Sequence, residues 1–280
     1  MHNINYKPDT DDSIFTKTLE LDKREGLKPD DKCSEFWDQT DMIHNSHVCQ
    51  ALYESLGLRL LDPNNPDDLA EIRKMLPIYT TKNEFDFKWL IDYVAVRTTE
   101  TGTKRVVFIQ ERWRQECYKG RYGDVTFRYS RDYHAADNYQ RYSEFYKLPT
   151  VLKMLEENVV PGIEWRFTEL YGFYNDNGTI DTFALIDLKK WYAEYMAGHF
   201  TLERGLKTTK IINGLLTYPI TTNTLSAEGL NASFIGIGIK DSLNTFNSRG
   251  WIALSGTWKG VTKELCERKH CPYLNLGVLR

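Results

Sequence analysis

Four polar residues on two neighbouring strand-like segments have the types and the spacing of a metal-dependent site. Asp92 opens the first segment, and Gln110, Glu111 and Arg112 lie together on the second. If the chain turns around residues 101–102, the two segments pair as a hairpin that places Asp92 opposite position 110 or 111. Cross-strand neighbours in a hairpin have Cβ atoms about 4.5–5.5 Å apart, so side chains of the two strands would share one ion.

Oxygen ligands at this spacing suit Mg²⁺ or Mn²⁺, which prefer carboxylates, carbonyls and water. The candidate metal-binding set is therefore Asp92 together with Gln110 or Glu111. Arg112 follows Gln110 by two positions, so it would lie on the same face of the strand. There it would steady a phosphate or an attacking hydroxide.

Asp92, the hairpin and the segment Val106–Arg112 resemble the core of the PD-(D/E)XK nucleases, the restriction-endonuclease-like superfamily. In that family an Asp begins one central strand, and an acid-x-Lys motif lies on the next. The resemblance covers about residues 84–190 and implies Mg²⁺-dependent hydrolysis of DNA phosphodiesters. It implies that Asp92 binds the metal, with Gln110 in the acid position and Arg112 in the lysine position. The chain departs from the family at Ile91, where the family has Pro, and at Arg112, because arginine does not readily exchange a proton.

Both the acid and the basic role have alternative candidates in the sequence. Glu111 is the ligand if the register is shifted by one residue. In this superfamily the acid or the lysine can also come from another place in the chain. Glu144 and Lys147, an acid and a lysine three residues apart ahead of the next predicted helix, are candidates for those roles. The candidate catalytic residues are therefore Asp92, Gln110, Glu111, Arg112, Glu144 and Lys147.

A second acid-x-Lys pattern competes with the first. Asp187 and Lys189 spell this motif literally at the end of another predicted strand. A turn centred between residues 176 and 177 would place Asp187 opposite Arg166, with Glu164 as a diagonal neighbour. The alternative interpretation is that Asp187 caps the helix that follows it.

The segment after the hairpin is rich in groups that bind nucleic acid. Residues 112–147 hold eight Lys or Arg against five acids, and seven of the chain's seventeen tyrosines. Guanidinium groups bind phosphates in a bidentate manner, and tyrosines stack on bases or donate to phosphate oxygens. The candidate DNA-binding residues are Arg114, Arg121, Arg128, Arg131 and Arg141.

The spacing of apolar residues along the chain changes repeatedly between the two-residue period of strands and the 3.6-residue period of helices, and it predicts the elements that would position these residues. We expect a helical region at residues 35–57 and a helix that Asn65 caps, with Pro66 in its first turn. Pro149 is expected in the first turn of a later helix that ends at Asn158. The other predicted elements are the strands Leu90–Arg97, Arg105–Trp113, Asp124–Arg131, Ile163–Tyr174 and Thr182–Ile186 and the helix Leu188–Met196.

This order of elements predicts an α/β protein with a central mixed sheet flanked by helices, and the resemblance implies a restriction-endonuclease-like core. We expect a mostly helical N-terminal region at residues 1–80 and the nuclease-like core at residues 81–200. Residues 201–280 hold ten bases against five acids and nine of the eighteen glycines. They are expected to form a β-rich region, which is either an appendix or the far edge of the same sheet.

The composition excludes several classes of protein. Hydrophobic residues make up 41% and charged residues 27% of 280 residues, and the mean hydropathy is −0.52, which excludes disordered, collagen-like and membrane proteins. The N-terminus has no signal pattern, so a cytoplasmic protein is expected. Five cysteines favour reduced thiols over a disulfide framework. Zinc ligation would need His44, His47 and Cys49 to meet Cys266, His270 and Cys271, and their spacing is not that of a zinc finger.

The sequence thus predicts a Mg²⁺-dependent endodeoxyribonuclease, with Mn²⁺ as a substitute metal. The cleavage would be site-specific if the enzyme is of the restriction type. A homodimer is expected by analogy, since cutting two strands takes two sites. Two alternatives stay open: a non-catalytic DNA-binding protein on the same fold, and a structural protein whose β-rich C-terminal part builds an assembly.

Overall fold

The computed structural model describes residues 52–54, 57–98, 102–115, 124–131, 143–174, 180–225, 230–238 and 252–257. Strands and short helices alternate along this part of the chain. The helices are α1 (Pro66–Met75), α2 (Lys82–Trp89), α3 (Glu144–Asn158) and α4 (Leu188–Met196). The strands are β1 (Arg59–Leu61), β2 (Tyr93–Thr98), β3 (Lys104–Gln115), β4 (Asp124–Arg131), β5 (Glu164–Tyr174), β6 (Ile180–Asp187), β7 (Phe200–Arg204), β8 (Lys210–Ile212), β9 (Leu215–Leu225), β10 (Leu230–Gly238) and β11 (Ile252–Thr257).

The strands form two mixed sheets, which agrees with the predicted α/β class but not with the single central sheet that was expected. The first sheet has the order β1-β2-β3-β5-β6-β11, in which only the β3–β5 pair is parallel. The second has the order β4-β10-β9-β7, with β8 also paired to β9. In the chain, α3 lies between the parallel strands β3 and β5, as such a crossover needs.

The predicted hairpin is confirmed, and its register is one of the two expected. Tyr93 pairs with Ile109, and extending this register by one residue places Asp92 opposite Gln110. Gly102 has a φ of 80° in the turn, a conformation that glycine adopts without steric cost. The fold therefore brings the start of β2 beside the polar end of β3.

Two helices begin at the predicted residues. Asn65 caps α1 by accepting the N–H groups of Asp67 and Asp68, and Pro66 occupies the first turn. Asp187 caps α4 by accepting the N–H of Lys190 at 3.0 Å. Acceptors at these positions satisfy donors that have no partner within the helix.

The predicted start of α3 was wrong, because Pro149 is not in its first turn. The helix begins at Glu144, and the Ser143 hydroxyl caps it by accepting the N–H of Tyr146. Pro149 is the sixth residue of α3, where it removes the N–H that would have bonded one turn back and its ring crowds the carbonyl there. A serine cap thus outweighs the preference of proline for a first turn.

The β-rich C-terminal region is confirmed in the described part of the chain, and it joins both sheets. β10 pairs with β4, and β11 pairs with β6. The predicted strand at β4 is confirmed with its bounds, but it lies in the second sheet rather than in one central sheet. The C-terminal strands therefore pair with strands of both sheets, not with one edge alone.

One apolar core lies between these layers, and aromatic rings fill its centre. Trp191 of α4 packs against Phe127 of β4, Phe200 of β7 and Phe145 of α3 at ring distances of 5.2–6.1 Å. Such rings bury a large apolar area and hold the sheets and helices in one arrangement. Among the described residues, no helix has the length and apolar character needed to cross a bilayer.

Candidate functional site

The C-terminal half of β3 carries polar residues on both of its faces. Side chains alternate along a strand, so Gln110 and Arg112 lie on one face and Glu111 and Trp113 on the other. Gln110 is 7% exposed, while Glu111 and Arg112 are half-buried. The candidate residues therefore form two groups, which we call the Glu111 face and the Gln110 face.

On the Glu111 face, Asp92 contacts β3 directly. Its Oδ2 accepts the backbone N–H of Glu111 at 2.6 Å, and its own N–H donates to the carbonyl of Ile109 at 2.9 Å. The end of α2 sets this position: Leu90 has a φ of 57° and turns the chain out of the helix. The acid that opens the hairpin is thereby held against the polar end of the neighbouring strand.

A second carboxylate meets Asp92 at this place. The side chain of Asp86, on α2, hydrogen-bonds to the carboxyl group of Asp92. Burial of this carboxyl and the negative charges of Asp86 and Glu111 raise the pKa of Asp92 well above its ordinary value. Two carboxyl groups share a hydrogen bond only if one of them keeps a proton, so this pair binds a proton in the absence of a cation.

Glu111 is held by two donors from different parts of the chain. The Tyr53 hydroxyl donates to its Oε2 at 2.9 Å, and the Trp113 indole N–H donates to its Oε1. The Trp113 ring lies over Gly172, its partner on β5, where an added Cβ would be 1.8 Å from the ring. The glycine thus makes room for the ring that orients Glu111.

On the Gln110 face, Arg112 has partners inside the protein. Its guanidinium forms an ion pair with Glu144 and donates to the carbonyl of Thr126 at 3.5 Å. Glu144 also accepts the backbone N–H of Arg128 at 2.8 Å. Arg112 therefore links the first sheet to β4 and to the start of α3, and these contacts occupy part of its hydrogen-bonding capacity.

A buried acid, Glu169, completes the Gln110 face. It is the register partner of Gln110 on β5 and has no exposed surface. Among the described residues, neither of its oxygens has a hydrogen-bond partner, and Oε1 of Gln110 has none either. The Arg112 guanidinium lies at ion-pair distance, with its Nε 3.9 Å from Oε1 of Glu169. Burial raises the pKa of Glu169 to about 8, although Arg112 and Arg114 oppose the shift.

The sequence analysis did not identify Asp86 or Glu169. Alternation in β5 offered a signal for Glu169, since it shares a parity with the buried Phe167, Tyr171 and Phe173 and is the only acid among them. No comparable signal marks Asp86, because its proximity to Asp92 depends on the angle between α2 and β2. These two acids are additions to the candidate set.

The other predicted basic residues lie in several places. Lys147 is half-buried on α3, one turn after Glu144. Arg114 is half-buried on β3, with its guanidinium 5.8 Å from the centre of the Tyr171 ring, and Arg128 is half-buried on β4. The backbone of Arg131 pairs with Ala232. The Arg131 side chain, Arg121, Arg141 and the six His and Cys residues considered for zinc lie outside what the structure describes.

The predicted register of the competing motif was wrong. Asp187 is opposite Thr168, two residues from the predicted partner Arg166, and the one-residue shift of the β5–β6 ladder between Phe173 and Tyr174 accounts for one of these two residues. Asp187 still reaches Arg166 as a diagonal neighbour at 3.6 Å. Lys189 is directed elsewhere, to Glu156 at 2.9 Å. Asp187 caps α4, as its alternative interpretation expected.

Within the described residues, no group of three or more His, Cys, Asp or Glu side chains is arranged to hold a metal ion. Mg²⁺ commonly keeps several waters and takes only one or two protein carboxylates. The hydrogen-bonded Asp86–Asp92 pair is compatible with that smaller ligand set.

Comparison of the chain with protein-family models, with curated proteins and with solved structures gave no match. A function can therefore be proposed only from the residues of the chain.

Proposed function

We propose that this protein is a Mg²⁺-dependent endodeoxyribonuclease that hydrolyses phosphodiester bonds and has a restriction-endonuclease-like core. The observation that carries the proposal is the contact of Asp92 with Glu111 across the β2–β3 hairpin, beside the carboxyl group of Asp86. An acid at the start of one central strand and an acid on the next is the arrangement that the resemblance implies. A raised pKa at such a place is typical of functional sites.

The metal would be held by Asp92 and Asp86, with Glu111 as a further carboxylate nearby. Bound Mg²⁺ would lower the pKa of a water molecule and offset the charge that builds up on the scissile phosphate. A bound cation would favour the charged form of both carboxyl groups, so Asp92 would then give up the proton that it shares with Asp86. Tyr53 and Trp113 keep Glu111 in one orientation, which reduces the reorganisation that metal binding needs.

The DNA backbone would be held by cationic groups near the end of β3 and on β4. We assign this role to Arg114, Arg128 and Arg131, and to Lys147 where a lysine is required close to α3. Arg112 has Glu144 as a buried partner, so a phosphate would have to compete with that carboxylate for the guanidinium.

The ion pair between Arg112 and Glu144 favours a second candidate function, a DNA-binding protein that does not cleave. An arginine that is paired inside the protein does not supply the proton-exchanging group of the family's lysine position. Such a protein would bind DNA equally well with Mg²⁺ and with EDTA. Its role would depend on the charge of the surface rather than on Asp92.

One experiment separates these functions. The purified full chain is incubated with supercoiled and linear plasmid in Mg²⁺, in Mn²⁺ and in EDTA, and the same samples are run in a gel-shift assay. Cleavage with either metal and none in EDTA supports the nuclease. Intact DNA that is shifted in every condition supports the binder. Intact, unshifted DNA would exclude both functions and would favour an assembly protein, whose oligomer light scattering would measure.

A further inference from the structure

A tight hairpin joins β8 to β9 in the second sheet. Ile212 pairs with Leu215 across the two-residue turn Asn213–Gly214. Both turn residues have a positive φ, 51° and 80°, as a type I′ turn requires, and this turn matches the twist of the strands that it joins. The Thr209 hydroxyl, just before β8, donates to the carbonyl of Gly236 on β10 at 3.4 Å. The hairpin therefore has a defined conformation and is attached to the sheet at its base.

This hairpin exposes large apolar side chains to solvent. Among the described residues, four large hydrophobic side chains are exposed, and two of them lie at this turn: Ile211 is 70% exposed and Leu215 is 40% exposed. Ile211 pairs with Leu216, and Leu215 pairs with Ile212, so the two exposed side chains lie on opposite faces of the hairpin. Exposed apolar side chains that lie together on one element are typical of a binding surface.

The charge around the hairpin is positive. Residues 204–227 contain three basic residues and no acid, and Lys207 and Lys210 are exposed. In the same sheet, β4 carries Arg128 and Arg131, to which we assigned contacts with the DNA backbone. Apolar and cationic groups together suit duplex DNA, which combines phosphates with the thymine methyl groups of its major groove. That groove is about 12 Å wide and admits a two-stranded ribbon, whereas the minor groove is about half as wide.

Two other occupants fit the hairpin less well. Residues 205–216 contain no aromatic residue, whereas segments that insert into a membrane surface commonly present Trp or Phe there. A stable contact between two copies of the chain buries about 800 Å² of each partner, which is more than two exposed side chains supply. The charge and the dimensions of the hairpin therefore favour DNA.

We infer that the β8–β9 hairpin enters the major groove of duplex DNA. There Ile211 and Leu215 contact the methyl groups of thymine. Lys207 and Lys210 bind the flanking phosphates. The inference rests on the DNA binding of the proposed function but not on cleavage, so it applies to the nuclease and to the non-cleaving binder. It gives the interface a group that responds to sequence, because phosphate contacts alone carry no sequence information.

The methyl group of thymine makes the inference testable. One DNA fragment of mixed sequence is amplified with either thymidine or deoxyuridine triphosphate, so that the two products have the same phosphates and differ in the methyl groups. Gel shifts in EDTA, where a metal-dependent nuclease does not cut, measure the affinity of the full chain for each product. We expect the parent chain to bind the thymine fragment about fourfold more tightly, which is the effect of burying one methyl group.

Substitutions at the tip test whether the hairpin makes these contacts. Ile211→Ser and Leu215→Ser should each reduce the preference for thymine, and the double variant should bind the two fragments equally. Ile78→Ser is the matched control, because Ile78 is 40% exposed, like Leu215, but lies between α1 and α2. It should keep the preference of the parent chain. A double variant that also keeps this preference would overturn the inference.

The outcomes separate this inference from the proposed function. A parent chain that shifts neither fragment would contradict DNA binding itself, and the inference would fail together with the proposed function. A gel shift or metal-dependent cleavage without a preference for thymine would overturn the hairpin contact alone. Binding to anionic vesicles that Ile211→Ser abolishes, with no preference for thymine, would assign the hairpin to a membrane instead. The comparison of the two fragments by the parent chain needs no variant, so it decides the matter even if a substitution disturbs folding.

Discussion

The two faces of β3 place their acids in different electrostatic surroundings. On the Glu111 face, burial raises the pKa of Asp92, and the charges of Asp86 and Glu111 add to the rise. On the Gln110 face, Glu144 has a guanidinium partner, and Arg112 and Arg114 oppose the rise in the pKa of Glu169. One face therefore concentrates like charge, and the other compensates charge within the fold.

Under the proposed function, this difference distinguishes a group of carboxyls that would bind a cation from a network that already contains the cationic Arg112. Carboxyl groups that repel one another are destabilising unless an ion or a proton joins them. A buried acid with a guanidinium partner contributes to the fold as long as the partner stays. We expect substitutions on the Gln110 face to act mainly on stability, and those on the Glu111 face to act mainly on metal-dependent activity.

The largest effect on stability is expected for Glu144→Ala. It leaves the Arg112 guanidinium without its buried partner and removes the acceptor of the Arg128 N–H. Breaking a buried pair in this way costs about 3–5 kcal/mol of the free energy of unfolding. Urea denaturation measures it, with Glu164→Ala as the control, because the Arg105–Glu164 pair is exposed and is expected to contribute about 0–1 kcal/mol. Equal losses in the two variants would remove the distinction between the faces.

The pH dependence of stability tests the burial of Glu169. Its pKa is about 8 in the folded protein against an ordinary value of 4.5, so between these pH values the folded chain holds the extra proton. Stability should therefore fall as pH rises through this window, by up to about 1.4 kcal/mol per pH unit. Urea titrations in EDTA at several pH values should show a flatter curve for Glu169→Gln. An unchanged slope would mean that Glu169 is not the titrating group.

Gly172→Ala tests the packing that orients Glu111. The added methyl group would collide with the Trp113 ring, and we expect a loss of about 1–3 kcal/mol. The loss should shrink on a Trp113→Leu background, since the smaller side chain removes the collision. A double-mutant cycle in urea measures this coupling. Additive losses would show that the ring does not lie over Gly172.

The smallest effect is expected for the competing motif. Asp187→Ala removes the cap of α4 and should cost about 1 kcal/mol, whereas Asp187→Asn keeps a capping oxygen and should cost less. Urea denaturation of the two variants compares them. A loss of DNA cleavage with Asp187→Asn would instead return the metal site to the motif at Asp187.

The parts of the fold that depend on neighbouring residues were predictable. The β2–β3 register follows from one turn and the two-residue period of strands, and the cap of α1 follows from Asn65 and Pro66. The β5–β6 register differs from the predicted one by two residues, and a one-residue irregularity near Tyr174, which has no local signature, accounts for one of them. The start of α3 was missed because Ser143, rather than Pro149, sets it.

The site was predictable only within the hairpin. Asp92, Gln110 and Glu111 were found because hairpin pairing is local in sequence. The pairing of Gln110 with Glu169 is parallel and spans a helical crossover, so no local pattern specifies it. The contact of Arg112 with Glu144 joins two sheets and a helix start in the same non-local way. Sequence reasoning therefore placed the residues on β3 but not the partners that distinguish its two faces.

The most direct test of the proposed function is the initial rate of plasmid nicking at fixed Mg²⁺ by the wild-type chain, Asp92→Asn and Asp187→Asn. Both variants replace a buried or half-buried carboxylate with its neutral isostere, so they are matched in chemistry. We predict that Asp92→Asn lowers the rate by about 100-fold or more while Asp187→Asn leaves it near that of the wild type. Full activity of Asp92→Asn, with cleavage still abolished by EDTA, would contradict the metal site at Asp92.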